Sequence, residues 1–211
     1  MSNSGLHIGV DGNCWANRRG YGRYTRELLT TLLAVDGRNR YTFFLDAATA
    51  AQCDDLPAAA QQVVAETRQS AVEAASATGS RALRDLWSMR SAVAQQAAGL
   101  DLFYFPSVYT YFPVPPRVPV LVTIHDTIPE RFPHLTFSSP RTRLMWTLKT
   151  RYAVRQATKA GRPGAIATVS ETAKRAIVAH FGVSPDRVVV IPDAAGREFR
   201  RLPRDGASTE V

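Results

Sequence analysis

The chain has 211 residues, of which 45% are hydrophobic and 21% are charged. This composition is typical of a globular protein with a sizeable core, and it argues against a disordered chain. No stretch reaches about 18 consecutive apolar residues, so the sequence predicts no membrane span.

The net charge of +8 lies in the second half of the chain. Residues 1–116 hold 10 basic and 10 acidic residues, residues 117–204 hold 16 basic and 6 acidic ones, and the last seven residues add two acidic ones. A basic half suits nucleic acid, anionic lipid or a phosphorylated substrate, and it equally describes an ordinary arginine-rich surface. Because no zinc-ligand spacing, ribonucleoprotein motif or clear helix-turn-helix occurs, we expect no nucleic-acid partner.

Two further features bear on location. Cys14 and Cys53 are not spaced as CxxC, which favours reduced thiols in a cytoplasmic protein. Residues 1–5 lack the basic start and the apolar stretch of a secretory signal.

Apolar patterns alternate between strand and helix along the chain. Strands are predicted at residues 6–11, 40–45, 62–66, 101–105, 118–124, 165–169 and 188–192. Helices are predicted at residues 20–37, 80–98, 140–159 and 170–182, while the alanine-rich residues 47–60 fit a loop or a short helix. This alternation predicts an α/β fold, with a doubly wound, mostly parallel sheet and helices on both faces. Residues 1–201 would form this domain, and residues 202–211 a polar tail or linker.

Two of the helices have an apolar stripe at helical spacing. In the helix at 20–37 the stripe consists of Tyr24, Leu28, Leu32 and Val35. In the last helix the predicted buried positions are Ala173, Ile177 and Phe181. Ser170 is well placed as the N-cap of that helix, and Gly182 as its end.

The helix at 140–159 has two interpretations. Leu144, Met145, Leu148 and Tyr152 share one face, and six cations surround it: Arg141, Arg143, Lys149, Arg151, Arg155 and Lys159. We favour the interpretation in which Leu144, Leu148 and Tyr152 pack this helix on the sheet. The alternative is a basic amphipathic helix that lies on anionic lipid.

Gly20 and Gly22 lie where a loop enters the first helix. Glycine lets the backbone approach a ligand closely, and the unpaired N–H groups of a helix N-terminus attract phosphate. The spacing is not GxGxxG, and Asp46 is the only candidate for a ribose-binding acid after the second strand, so a nicotinamide cofactor is disfavoured. A tight loop without a ligand would need the same two glycines.

His125 and Asp126 follow the fifth predicted strand. Ligands of open α/β sheets bind beyond the carboxyl ends of the strands, which is where both side chains are expected. A histidine there can hydrogen-bond a substrate hydroxyl or move a proton near neutral pH, and the aspartate can orient a second hydroxyl. A capped turn is the alternative explanation of the pair.

Four segments resemble the landmarks of glycosyltransferase family 4 and occur in that family's order. They are residues 20–29 (GYGRYTRELL), 122–129 (VTIHDTIP), 168–175 (TVSETAKR) and 181–192 (FGVSPDRVVVIP). The resemblance covers residues 6–201. Two short stretches depart from the family pattern, RPGA at residues 162–165 and PDA at residues 192–194.

The resemblance implies two Rossmann-like lobes and the transfer of a sugar, of hexosyl or mannosyl type, from a nucleotide sugar with retention of configuration. By the same resemblance Gly20 and Gly22 would lie near the donor's diphosphate, and His125 would contact the transferred sugar. Asp126 would flank the acceptor site, and Ser170 would cap a helix that faces the cleft.

The resemblance also implies which components the chain works with. We expect no cofactor and no metal, so Asp54 and Asp55 are not interpreted as a metal motif. The expected partners are a nucleotide sugar, a glycan or lipid-linked acceptor as in polysaccharide biosynthesis, and a separate donor-binding lobe. Peripheral contact with the inner face of an anionic membrane belongs to the alternative interpretation of the basic helix at 140–159. Aromatic residues in two loops would stack on sugar rings or form loop core: Tyr109, Tyr111, Phe112, Phe132 and Phe137.

In the family that this chain resembles, a donor-binding lobe supplies the cations that clamp the diphosphate, and the resemblance implies that this chain is the N-terminal, acceptor-side lobe. Charge on a leaving diphosphate needs preorganised cations, so we expect little or no turnover by residues 1–211 alone. The alternative is a non-catalytic lone lobe that interacts with a transferase or regulates it.

Overall fold

The computed structural model describes residues 5–67 and 83–196. Within these ranges the strands are β1 His7–Asp11, β2 Arg40–Asp46, β3 Gln61–Ala65, β4 Leu102–Phe105, β5 Val120–Thr123, β6 Ala165–Thr168 and β7 Val188–Val190. The helices of the same ranges are α1 Gly20–Val35, α2 Ala47–Gln52, α3 Leu83–Gln96, α4 Ile128–Arg131, α5 Pro133–Thr136, α6 Pro140–Ala157 and α7 Glu171–Phe181.

The strands form one sheet in the order β3-β2-β1-β4-β5-β6-β7, and every neighbouring pair is parallel. The predicted Rossmann-like, doubly wound α/β fold is therefore confirmed. The first residues of the helix predicted at 80–98, residues 80–82, and the predicted tail at 202–211 lie outside the described residues. No helix in the described ranges has the length and apolarity needed to cross a bilayer.

Side chains of the central strands alternate between two cores, one on each face of the sheet. Phe43 of β2 and Tyr104 of β4 pack with Leu29 of α1 on the first face. Phe44 and Phe103 point to the opposite face, where they join the larger core formed with α3, α6 and α7. The sheet is thus covered by helices on both faces, as predicted.

The burial of α6 is the reverse of the prediction. Leu144, Leu148 and Tyr152 were expected to pack on the sheet, but they are 58%, 55% and 47% exposed. The buried side of α6 consists of Trp146, Thr150, Ala153, Val154 and Ala157. Small alanines let a helix axis approach the sheet closely, so this side packs better than the broad leucine face.

The two other predicted stripes are partly right. In α1 the buried centre is Leu29, whereas Val35 at the end of the predicted stripe is 75% exposed. In α7 Ile177 is fully buried. Gly182 ends α7 with φ of 66°, a left-handed conformation that glycine adopts without strain.

Candidate functional site

The strand order reverses between β1 and β4, because the chain runs outward through β2 on one side and through β5 on the other. In such sheets the usual ligand position is the crevice at the carboxyl edge between the loops that follow the two strands, here β1 and β4. The crevice is bordered by residues 12–19 after β1, by residues 106–111 after β4, and by residues 124–127 after the adjacent β5.

A buried aspartate ties the first two loops together. Asp11, at the end of β1, is fully buried. Its carboxylate accepts a 2.6 Å bond from Thr110 Oγ1 in the loop after β4. It also accepts a 2.7 Å bond from Asn13 Nδ2 in its own loop. These bonds fix the spacing of the crevice walls, a role that the sequence patterns did not indicate.

The two predicted glycines have different surroundings. A Cβ at Gly22 would lie 2.6 Å from the carbonyl carbon of Asn17 and closer still to its oxygen, so the backbone path there requires glycine. At Gly20 a Cβ would meet nothing within 4 Å. The tight loop thus requires glycine at position 22. Gly20 is exposed and leaves the N-terminus of α1 accessible. That N-terminus carries partial positive charge.

Two stacked tyrosines connect the glycine loop to the loop after β4. The rings of Tyr21 and Tyr109 are 5.1 Å apart and nearly parallel, at 6°. The Tyr21 hydroxyl accepts a 2.6 Å bond from Asn17 Nδ2. Burial raises the pKa of Tyr109 to about 12, so this phenol keeps its proton at neutral pH.

His125 lies between the loop after β4 and the first turns of α1. Its Nε2 is 3.2 Å from the carbonyl oxygen of Pro106. The ring of Tyr24 stands edge-on to the imidazole, with centroids 4.7 Å apart. Because a carbonyl can only accept, Nε2 carries the donated proton, and Nδ1 is the acceptor in neutral imidazole.

Burial lowers the pKa of His125, and the Pro106 carbonyl and the charges of Asp193 and Asp126 partly offset this effect. The imidazole is therefore neutral at pH 7. Asp193 follows β7 and belongs to the PDA stretch that departs from the family pattern. The sequence patterns did not indicate that its charge acts on the histidine. Tyr24 was likewise assigned to a helix stripe, although its ring contacts His125.

Asp126 and Ser170 have local structural roles. Asp126 is exposed and accepts a 2.8 Å bond from the N–H of Ile128, which is the capped turn considered as the alternative for this pair. Ser170 follows β6, and its hydroxyl accepts a 3.1 Å bond from the N–H of Ala173 as the N-cap of α7. The structure therefore connects His125 to the helix that begins at Gly20 through the ring of Tyr24, while Asp126 follows His125 in the chain and Ser170 follows the adjacent strand β6.

The aromatic residues of the two loops divide between core and surface. Tyr111 and Phe112 are buried in the larger core. Phe132 is 41% exposed. Glu130 accepts a 2.7 Å bond from Trp146 Nε1, and burial raises the pKa of its carboxyl group. This bond joins the segment after His125 to α6.

Two of the carboxylates that the sequence offered as ligand candidates, Asp46 and Asp55, have structural partners. Asp46 is buried and accepts a 2.7 Å bond from the N–H of Thr49 at the start of α2. Asp55 accepts a 2.7 Å bond from Trp15 Nε1. Among the described residues, no group of three or more His, Cys, Asp or Glu side chains is arranged to hold a metal ion.

Comparison with known proteins gives one family match. The model described as Glycosyltransferase Family 4 matches residues 18–195, well over half of the chain. A crystal structure of HepE from Anabaena in complex with UDP is similar at 14% identity and a TM-score of 0.48, over 89% of this chain and 43% of that one. This chain thus spans less than half the length of that protein. A search among curated proteins gave no match. From the family match, the chain belongs to glycosyltransferase family 4.

Proposed function

We propose that this chain is the N-terminal, acceptor-side lobe of a retaining glycosyltransferase that uses a nucleotide sugar as donor. The observation that carries the proposal is the contact between Tyr24 of α1 and His125 at the carboxyl edge of the sheet. It joins a helix N-terminus suited to phosphate with a neutral histidine suited to a sugar hydroxyl, at the switch point of an open sheet.

The N-terminus of α1 supports the donor side of the proposal. Unpaired N–H groups and the helix dipole favour an anionic oxygen there, and Gly20 has no side chain to block its approach. Arg18 and Arg19 are exposed directly before the helix and add positive charge. The diphosphate of a nucleotide sugar has the charge that this position attracts.

His125 would act by binding and orientation. With Nε2 committed to the Pro106 carbonyl, Nδ1 can accept a hydrogen bond from a hydroxyl of the transferred sugar. The lowered pKa keeps the ring neutral, so this acceptor remains available at physiological pH. Asp126, with one oxygen already bonded to the turn, would orient an acceptor hydroxyl with the other.

The proposed lobe would turn over little substrate by itself. A leaving diphosphate develops charge that preorganised cations must stabilise. The family resemblance assigns those cations to a second, donor-binding lobe, on the same polypeptide or on a separate one.

The finer parts of the proposal rest on the family alone. The donor would carry a hexose, mannose included, and the acceptor would be a glycan or a lipid-linked sugar in polysaccharide biosynthesis. A cytoplasmic location is proposed because Cys14 and Cys53 are free thiols.

Saturation-transfer NMR with a panel of saccharides and nucleotide hexoses would test the site. We expect saccharide signals with the purified chain that disappear in His125→Ala and persist in His134→Ala, an exposed histidine outside the site. Equal signals from both variants would overturn the role of His125. No binding by the unmodified chain would instead favour the non-catalytic lobe.

A transfer assay would test the need for a second lobe. Radiolabelled nucleotide hexoses should give no product above background with residues 1–211 alone. Product should form, with the donor's anomeric configuration retained, when a donor-binding lobe is added. Robust transfer by the isolated chain would refute the predicted inactivity.

A further inference from the structure

A solvent-facing stripe of α6 combines large apolar side chains with arginines. We define the outward face of α6 as Leu144, Met145, Leu148 and Tyr152 together with Arg141, Arg151 and Arg155. The four apolar side chains are 47–58% exposed, and the three arginines are exposed as well. Apolar groups gathered in one exposed patch indicate a binding surface, whereas scattered ones do not.

The charge of this helix has one sign. α6 contains five basic residues and no acidic residue. Lys149 is turned away from the outward face, because its Nζ donates to the carbonyl of Tyr109 at 2.9 Å and lies 4.5 Å from the centre of the Trp146 ring. The arginines of the outward face therefore present positive charge to whatever covers it, and an anionic partner is the complement.

The arrangement of the arginines favours a lipid surface over a protein. In projection along a helix of 3.6 residues per turn, Arg155 falls between Leu144 and Leu148. Arginine, methionine and tyrosine are common at protein interfaces, but an arginine buried at the centre of one needs a carboxylate partner, whereas an arginine at a bilayer surface does not. At a bilayer surface the leucines enter the acyl boundary while the arginines bend outward to phosphate groups.

The helix presents this face rigidly. Its opposite side is packed on the sheet through Trp146, and Trp146 Nε1 is bonded to Glu130. The N-terminus is closed by a capping box between Ser139 and Thr142. An 18-residue helix is about 27 Å long. The face is thus an extended, preformed strip that needs no folding on binding.

A groove extends the strip at its N-terminal end. It is open, has a volume of about 660 Å³, and lies between α5 and the first turns of α6. Leu144 and Arg143 line it from α6, and Phe137 lines it from the other side. On α5, Leu135 is 77% exposed. Apolar walls beside an exposed arginine suit an acyl chain and its phosphate.

We propose that the outward face of α6 binds the surface of an anionic lipid bilayer. Leu144, Met145, Leu148 and Tyr152 would lie at the boundary between headgroups and acyl chains, and Arg141, Arg151 and Arg155 would contact lipid phosphates. This function is separate from sugar transfer, because vesicle binding is measured without donor or acceptor. Its failure leaves the proposed transfer unaffected, and the reverse also holds.

Co-sedimentation of the full chain with vesicles tests the proposal. Phosphatidylcholine vesicles with about one third phosphatidylglycerol should bind the chain, pure phosphatidylcholine should not, and added salt should weaken binding. The triple variant Arg141→Gln, Arg151→Gln, Arg155→Gln should lose roughly fivefold in partition coefficient per arginine, about 100-fold together. The double variant Leu144→Ser, Leu148→Ser should also bind more weakly.

Matched variants remove the same charge or apolar area elsewhere. Two control variants change exposed residues on other elements: the triple variant Arg38→Gln, Arg40→Gln, Arg117→Gln and the double variant Val35→Ser, Trp87→Ser. Both control variants should bind vesicles like the unmodified chain. All these side chains are exposed, so circular dichroism should show unchanged folding. Equal binding to neutral and anionic vesicles, or equal loss in the control triple variant, overturns the proposal. Self-association measured by light scattering would also overturn the proposal if the double variant Leu144→Ser, Leu148→Ser abolishes it, because a second copy of the chain would then cover the face.

Discussion

Substitution of Gly22 by alanine should destabilise the entry to the candidate phosphate site. The new Cβ would lie 2.6 Å from the carbonyl carbon of Asn17. Ordinary contacts begin at 3.4 Å, so the two segments must separate by at least 0.8 Å. The Asn17 carbonyl also accepts a 2.8 Å bond from Arg26 Nη1, and that displacement would break it.

The loss in the free energy of unfolding follows from three contributions: overpacking, the broken hydrogen bond and helix propensity. Overpacking of a well-packed site costs about 1–3 kcal/mol, and the lost hydrogen bond costs about 1 kcal/mol more. Alanine recovers about 0.5–1 kcal/mol over glycine within a helix. The net loss is about 2–3 kcal/mol, which lowers the Tm of a chain of this length by about 4–12 °C.

Gly20→Ala is the matched control, because a Cβ at Gly20 meets nothing within 4 Å. Thermal unfolding followed by circular dichroism should show Gly20→Ala at or slightly above the Tm of the unmodified chain and Gly22→Ala well below it. If Gly22→Ala melts no lower than Gly20→Ala, the inferred close approach of Asn17 is wrong.

Three further predictions concern the same edge of the sheet. Burial lowers the pKa of His125 in the folded chain. As the pH falls, the imidazole is therefore protonated first in the unfolded chain, and the stability of the fold decreases below about pH 6.5. His125→Asn should flatten that part of a urea-unfolding profile, and superimposable profiles would contradict the assigned burial. Thr110→Val removes the 2.6 Å bond to buried Asp11 and should cost about 1–3 kcal/mol, whereas exposed Thr31→Val should change little in the same denaturant titration. Ser170→Ala removes the N-cap of α7 and should cost about 1 kcal/mol, and Ser170→Asp should restore stability if capping is its role.

Local patterns in the sequence determined the elements and their order. Predicted and observed strands agree to within a few residues, for example 40–45 against Arg40–Asp46. Side chains that alternate along a strand and recur every third or fourth residue along a helix are set by backbone geometry, which is local. The parallel, doubly wound arrangement then follows, because strands that alternate with helices must cross over.

The sequence also located part of the site. His125 follows a buried strand, and in a parallel sheet every strand end lies at the same edge, so its position there was predictable. Its neighbours were not. The ring of Tyr24 in the first helix contacts the imidazole, and the charge of Asp193 after the last strand acts on it, and both depend on how distant segments of the chain cross.

Tertiary packing alone decided which face of α6 meets the sheet. Helical periodicity showed that Leu144, Leu148 and Tyr152 share a side, but a second side with Trp146 and Ala153 was also available. The side that packs on the sheet has a small residue, Ala153, which lets the helix approach closely, and a large ring, Trp146, which fills the remaining space. The leucines were left in solvent among arginines, because close packing is a property of two surfaces together and periodicity describes only one.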